Sequence, residues 1–134
     1  MQKQNLTIKY LPVADLIPYA RNTRTHTPEQ VNKVASSIKE FGFTNPVLVD
    51  AEKGIIAGHC RVMASQKLGM QQVPTIEVTG WTDAQKRAYI IADNKLALDA
   101  GWDEELLRIE LEELKNDSFD IELTGFELDE INDL

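Results

Sequence analysis

Residues 54–69, GIIAGHCRVMASQKLG, turn from an extended apolar run into a helical one across one glycine. Ile55-Ile56-Ala57 is short and bounded by glycines, so it reads as a strand. Cys60, Met63, Ala64 and Leu68 recur at i, i+3, i+4 and i+8, which predicts a helix from His59 to Leu68 that stops at Gly69 and buries this stripe. A helix must therefore start directly where a strand ends. The rest of the chain has to supply the sheet around that strand and the elements that cover it.

The neighbouring segments supply both. PVLVD reads as a second strand, and AEK as the turn that makes residues 46–58 a hairpin. Thr27-Pro28-Glu29-Gln30 predicts a helix start, with Thr27 as N-cap, Pro28 in the first position and Gln30 closing a capping box. Val31, Val34, Ala35, Ile38 and Phe41 continue it as one apolar stripe, and Gly42 ends it. The alternation Leu6, Ile8, Tyr10 predicts a short first strand, broken into an irregular connection by Pro12 and Pro18. VPTIEV is a further strand, which Pro74 places at an edge or a strand start. A second capping box, Thr82 to Gln85, opens a helix through about Asp93, and Leu106, Leu107, Leu111 and Leu114 form the apolar side of another. The fold class is α+β, a small mixed sheet flanked by helices and followed by a helical C-terminal part. The expected organisation is a domain over residues 1–80, a helical extension packed on it over 81–115, and an acidic tail or hinge over 116–134.

Charge divides along the same line. The net charge of −8 combines nine Lys/Arg against six Asp/Glu in residues 1–80 with five against sixteen in residues 81–134. At physiological salt, charges farther apart than about 8 Å are largely screened, so an anion site in the first part is compatible with an acidic chain. The single cysteine leaves no internal disulfide, and no export leader or membrane-spanning apolar run is visible, which makes the cytoplasm the expected compartment. No further helix-turn-helix or basic stripe stands out. The Glu-rich helix after Trp102 is either a solvated face or a docking surface for a basic partner.

The Gly-His-Cys-Arg turn is the candidate site. A helix start exposes unpaired N–H groups and the positive end of the macrodipole, and Gly58 lets an anion approach the backbone. Arg61 in the first turn could add charge-assisted hydrogen bonds to phosphate or carboxylate oxygens, and His59 another donor. The alternatives are structural: His59 as a turn residue, Arg61 paired to a carboxylate, and Cys60 as a packed small residue on the apolar stripe rather than a nucleophile. Zinc is not expected, because Cys60 with His59 and the distant His26 falls short of a ligand set.

VNKVASSIKEFGFTNPVLVD followed by GIIAGHCRVMASQKLGMQQVPTIEV resembles the ParB N-terminal domain, often labelled ParB-like nuclease and grouped with sulfiredoxin, over about residues 7–80. Asn22-Thr23-Arg24 is similar to the Asn-x-Arg before the first family helix, GFTNPV to the Gly-x-x-x-Pro loop that contacts a base, and GHCR to the Gly-Glu-Arg-Arg turn that holds a triphosphate. The resemblance implies phosphate or nucleotide contacts from Gly58, His59, Cys60, Arg61 and Arg24, and base contacts from Gly42, Thr44, Asn45 and Pro46. Asp93 and Asn94 lie where ParB nucleotidases carry a Glu-Asn pair, which implies magnesium there and makes Asp93 and His59 the catalytic candidates. The implied cofactor is Mg²⁺ with CTP or ATP.

AQKRAYIIADNKLALDAGWDEELL is similar to the subgroup that precedes the methylase in phage and bacterial DNA methyltransferases, and LTGF resembles the hinge before such a domain. His59 replaces the family's glutamate and cannot act as a carboxylate. Cys60 falls one position late for the sulfiredoxin turn, and Ala57 replaces the aspartate of the related free-serine kinases. The leading expectation is therefore an accessory domain that binds a nucleotide or phosphate and contacts DNA directly or through a methyltransferase. A magnesium-dependent NTPase, kinase or nuclease is the enzymatic alternative, and an interaction domain with a vestigial cradle the structural one. No membrane partner is expected, a homodimer is possible, and the natural chain could continue past Leu134.

Overall fold

The computed structural model describes residues 5–21 and 25–133. A four-stranded sheet forms the centre: β1 (Ile8–Pro12), β2 (Val47–Val49), β3 (Ile55–Ala57) and β4 (Gln72–Glu77), in the spatial order β1-β4-β2-β3. The β2–β3 hairpin and the β1–β4 pair are antiparallel, while β2 and β4 run parallel, so the sheet is mixed. Helices α1 (Pro28–Phe41), α2 (His59–Lys67) and α3 (Asp83–Asp99) follow the expected order, then α4 (Glu104–Asn116) and α5 (Leu128–Asn132). Among the described residues no helix is long and apolar enough to cross a membrane.

The GIIAG run is apolar at every position because β3 is covered on both faces, as successive strand residues point to opposite sides. Ile55 joins Val13, Leu16, Val47, Val49, Val62 and Val73 on the α2 side. Ile56 packs with Val78 and Ile90 on the α3 side. A third cluster, Val31, Ala35 and Ala64, joins α1 to α2 with half-buried Val34, Ile38 and Cys60 against it. Thr75 sits between Lys9 of β1 and Val47 of β2, fully buried, and its hydroxyl donates to the Lys9 carbonyl at 2.6 Å, so this buried polar group is satisfied.

Four local expectations change. Pro74 lies in β4, a central strand. It stands one residue before the first β2 pair, Val47 with Thr75, so only β1 flanks it there and no β2 carbonyl needs its missing N–H. Thr27 does accept from the Gln30 amide at 3.1 Å, but the Gln30 side chain meets His26 Nδ1 at 3.2 Å instead of closing the box. The α2 stripe is shifted: Val62, Ala64 and Ser65 are buried while Met63 and Leu68 are exposed, because the helix is wedged between the sheet and α1. Helix α3 runs to Asp99, six residues past the expected end. Asn94 to Leu98 contain no breaker and Lys95 pairs with Asp99 one turn on.

The C-terminal elements pack back on α1. Phe119 stacks on Phe41 at 6.4 Å between ring centroids, Glu127 meets Lys33 at 3.2 Å, and the 3-10 turn Ile121–Thr124 touches the same helix. Inside this part Leu111 is buried, Leu107 and Leu114 are half-buried, and Leu106 is exposed, so three of the four predicted apolar positions face inward.

Candidate functional site

The strand-to-helix junction has the geometry its glycine predicts. Gly58 is the N-cap of α2 at φ 106°, ψ 21°, a left-handed conformation that a side chain would strain. No side chain caps the helix. Its first N–H groups and the positive end of its dipole lie at the junction.

Arg61 folds back over the same glycine. A Cβ on Gly58 would stand 2.9 Å from Arg61 Nη2 and 3.3 Å from Cζ, so the missing methyl makes room for the guanidinium. Nη2 donates to the Pro46 carbonyl at 3.2 Å, which ties the turn to the end of the 42–46 loop. Nε is buried with no acceptor among the described residues. Burial lowers the affinity of the group for its proton, while the negative charge of Asp93 acts the other way. One guanidinium donor thus lacks a partner among the described residues. A buried donor left unmade costs about 1–3 kcal/mol, more for a charged group.

His59 holds the other side of the turn. Its Nε2 accepts from the Tyr19 backbone N–H at 3.2 Å, which leaves the ring proton on Nδ1. Burial, and then the proximity of His26, lower its pKa below the ordinary histidine value, in keeping with a neutral ring. Nε2 is consequently an acceptor here, and only Nδ1 remains to donate. A cavity of about 340 Å³ lined by Tyr19, His26, His59 and Met63 reaches the turn from this side.

The structure brings together Gly58, His59, Cys60 and Arg61 with Pro46, and Asp93 of α3 acts on Arg61 electrostatically. Cys60 is half-buried against the α1–α2 cluster. Thr44 and Asn45 are exposed in the loop, and Gly42 ends α1 at φ 89° with its N–H on the Ile38 carbonyl at 2.7 Å. Asn94 donates its amide to the Ile90 carbonyl at 2.7 Å, and Asp93 is exposed beside it. Arg24, with the Asn22–Arg24 motif, lies outside the described residues. Among the described residues no three His, Cys, Asp or Glu side chains gather as a metal cluster.

Two participants were missed in the sequence. Tyr19 acts through its backbone, which no side-chain pattern reports. Asp50 accepts from the Glu52 and Gly54 amides and meets Lys86 at 3.4 Å, so one carboxylate closes the β2–β3 turn and anchors α3. Asp before a turn glycine is a recognisable signature, but its link to Lys86 is not local. Beside this pair, Tyr19, Ile56, Arg87 and Ile90 help line a cavity of about 530 Å³.

Comparison with known proteins sets these features in a family. Residues 1–95 match the ParB N-terminal domain and residues 105–134 the ParB-methyltransferase HTH domain. The second match corrects the expectation that no helix-turn-helix follows: α4, the 3-10 turn and α5 lie within it. The ParB-like nuclease domain-containing protein YnaK of Escherichia coli (strain K12) is 54% identical over 84 residues, covering 63% of this chain and 97% of that protein. In fold, the C-terminally truncated chromosome-partitioning protein ParB from Caulobacter crescentus, solved with CTP-γ-S, aligns at a TM-score of 0.69 with 23% identity, over 81% of this chain and 62% of that one. Sulfiredoxin from Arabidopsis thaliana aligns at 0.52 with 24% identity, over 63% of this chain and 97% of that one.

Proposed function

The chain belongs to the ParB N-terminal domain family, and from that premise we propose that it is a nucleotide-binding accessory domain working beside DNA modification or partition machinery. The phosphates lie at the start of α2. The observation that carries this reading is Arg61, half-buried over Gly58, whose buried Nε has no partner among the described residues, next to a helix start without a side-chain cap among them. An oxyanion there would accept from the N–H groups of the helix start and from Arg61, which would give up its 3.2 Å bond to Pro46 by turning outward.

That exchange links two segments. While Arg61 holds the Pro46 carbonyl, the 42–46 loop is clamped to the turn. Once phosphate takes the guanidinium, the loop is released, and Gly42, Thr44, Asn45 and Pro46 become free to contact the base. Arg24, outside the described residues, is the further cation that the family resemblance brings to the phosphates. The ParB structure carrying CTP-γ-S makes CTP the first nucleotide to test and ATP the second.

Magnesium fits the same site. A nucleotide-bound Mg²⁺ needs only one or two protein oxygens beside phosphates and water, which exposed Asp93, with the Asn94 side-chain oxygen, would supply. When bound it neutralises phosphate charge. His59 is held neutral by Tyr19 and carries no carboxylate, so the site binds without rapid turnover. DNA contact runs through the first part of the chain or a methyltransferase partner.

Calorimetric titration of CTP, ATP, GTP and S-adenosylmethionine, with and without Mg²⁺, tests the assignment. Magnesium-dependent binding of one triphosphate, lost by at least about tenfold in Arg61→Ala, is the expected result. Equal binding to both proteins removes the site. Triphosphate binding accompanied by steady phosphate release that His59→Ala or Asp93→Ala abolishes replaces the binding module with an NTPase.

A further inference from the structure

The segment that matches a helix-turn-helix domain carries the wrong charge for DNA. Residues 105–134 hold eleven Asp/Glu against two Lys/Arg. One of those two, Arg108, is already held by Glu105 at 2.7 Å and Glu112 at 3.3 Å. Binding to duplex DNA draws most of its affinity from Lys and Arg that displace counterions at phosphates. A surface this acidic repels the backbone.

The same segment exposes apolar side chains on the outside of α4. Leu111 is buried and Leu107 and Leu114 half-buried, whereas Leu106 and Ile109 are 60% and 36% exposed. Leu106, Ile109, Glu110 and Glu113 stand at i, i+3, i+4 and i+7, one face of the helix. Among the described residues neither Glu110 nor Glu113 has a cation at ion-pair distance, since Arg108 is engaged around the side. An apolar strip edged by unpaired carboxylates is complementary to one kind of surface: a helix with an apolar stripe bordered by Lys or Arg.

We propose that the outer face of α4 docks a Lys/Arg-rich amphipathic helix of a partner protein, and that in this chain the helix-turn-helix segment recognises protein in place of DNA. Charge complementarity selects this occupant, and Leu106 and Ile109 confine it to a helical stripe. The proposal is independent of nucleotide binding at α2.

The test follows backbone amide shifts of the whole chain as three probes are added: an amphipathic Leu/Lys helical peptide, a peptide of the same composition with the pattern scrambled, and a duplex DNA of mixed sequence. The patterned peptide should shift α4 amides and bind at least about tenfold more tightly than the scrambled one. Leu106→Asp should remove that preference, and Glu110→Lys with Glu113→Lys should weaken the patterned peptide while leaving the thermal midpoint in place, so that a loss of folding in the first variant does not decide the matter. Three results overturn the proposal: equal binding of both peptides, shifts of α4 and α5 amides with DNA, or self-association through α4 in sedimentation of the chain alone.

Discussion

His59 is neutral in the folded chain because it accepts the Tyr19 N–H and sits partly buried near His26. Its pKa is lowered on folding, so the unfolded chain binds the proton more readily. The stability tied to the neutral ring is fully present above the unfolded value of about 6.5 and is lost as pH falls from there through the lower folded value. One proton sets a ceiling of about 1.4 kcal/mol per pH unit on the slope, and partial exposure keeps the observed slope below it. Urea midpoints measured from pH 7.5 downward should fall through that window in the native chain and run flatter in His59→Gln; parallel curves would detach the ring from the effect. The residues of this turn were legible as a group, since Gly58 and Arg61 lie within one helical turn of each other. Their arrangement was not. Arg61 turns to a carbonyl fifteen positions back, and His59 to an amide forty positions back, and neither partner belongs to a local pattern.

Helix starts were the most readable elements, because a cap is a contact between residues three apart. At α3 the box closes fully, with Gln85 N donating to Thr82 Oγ1 at 3.1 Å and Thr82 N donating to Gln85 Oε1 at 2.8 Å. Thr82→Ala should therefore cost about 1 kcal/mol, within roughly 0.5–2, read as a lower urea midpoint with unchanged slope. Since α3 carries both Ile90 into the sheet and Asp93 toward Arg61, the same variant should weaken triphosphate binding more at high temperature than at low. Helix ends and strand neighbours were less readable. Nothing near Asp93 stops α3, and the place of Pro74 in a central strand depends on where β2 ends, a fact of the sheet and not of VPTIEV.

At the scale of the molecule, the C-terminal helices are held to the first part by a small contact. It includes Phe119 on Phe41 and the 3-10 turn on α1, while the Lys33–Glu127 pair is solvent-exposed and contributes little. Phe119→Ala should raise amide exchange in α4 and the 121–124 turn while leaving the sheet protected; uniform loss of protection would mean that the whole chain unfolds as one unit. The division between a balanced first part and an acidic second part was plain in the charge pattern, and the α+β architecture followed from short strands alternating with capped helices. The helix-turn-helix relationship was hidden, since its apolar spacing is that of any amphipathic helix and its composition is opposite to that of a DNA reader.

The order of the strands has one more effect, on how the chain is made. β4 lies between β1 and β2, yet it is the last of the four to be synthesised. A nascent chain that has not yet reached Gln72 holds β1 and the β2–β3 hairpin with a gap where their shared neighbour belongs, and Thr75 must find Lys9 across 66 positions to close it. Until the ribosome delivers that strand, two open edges wait in the cell.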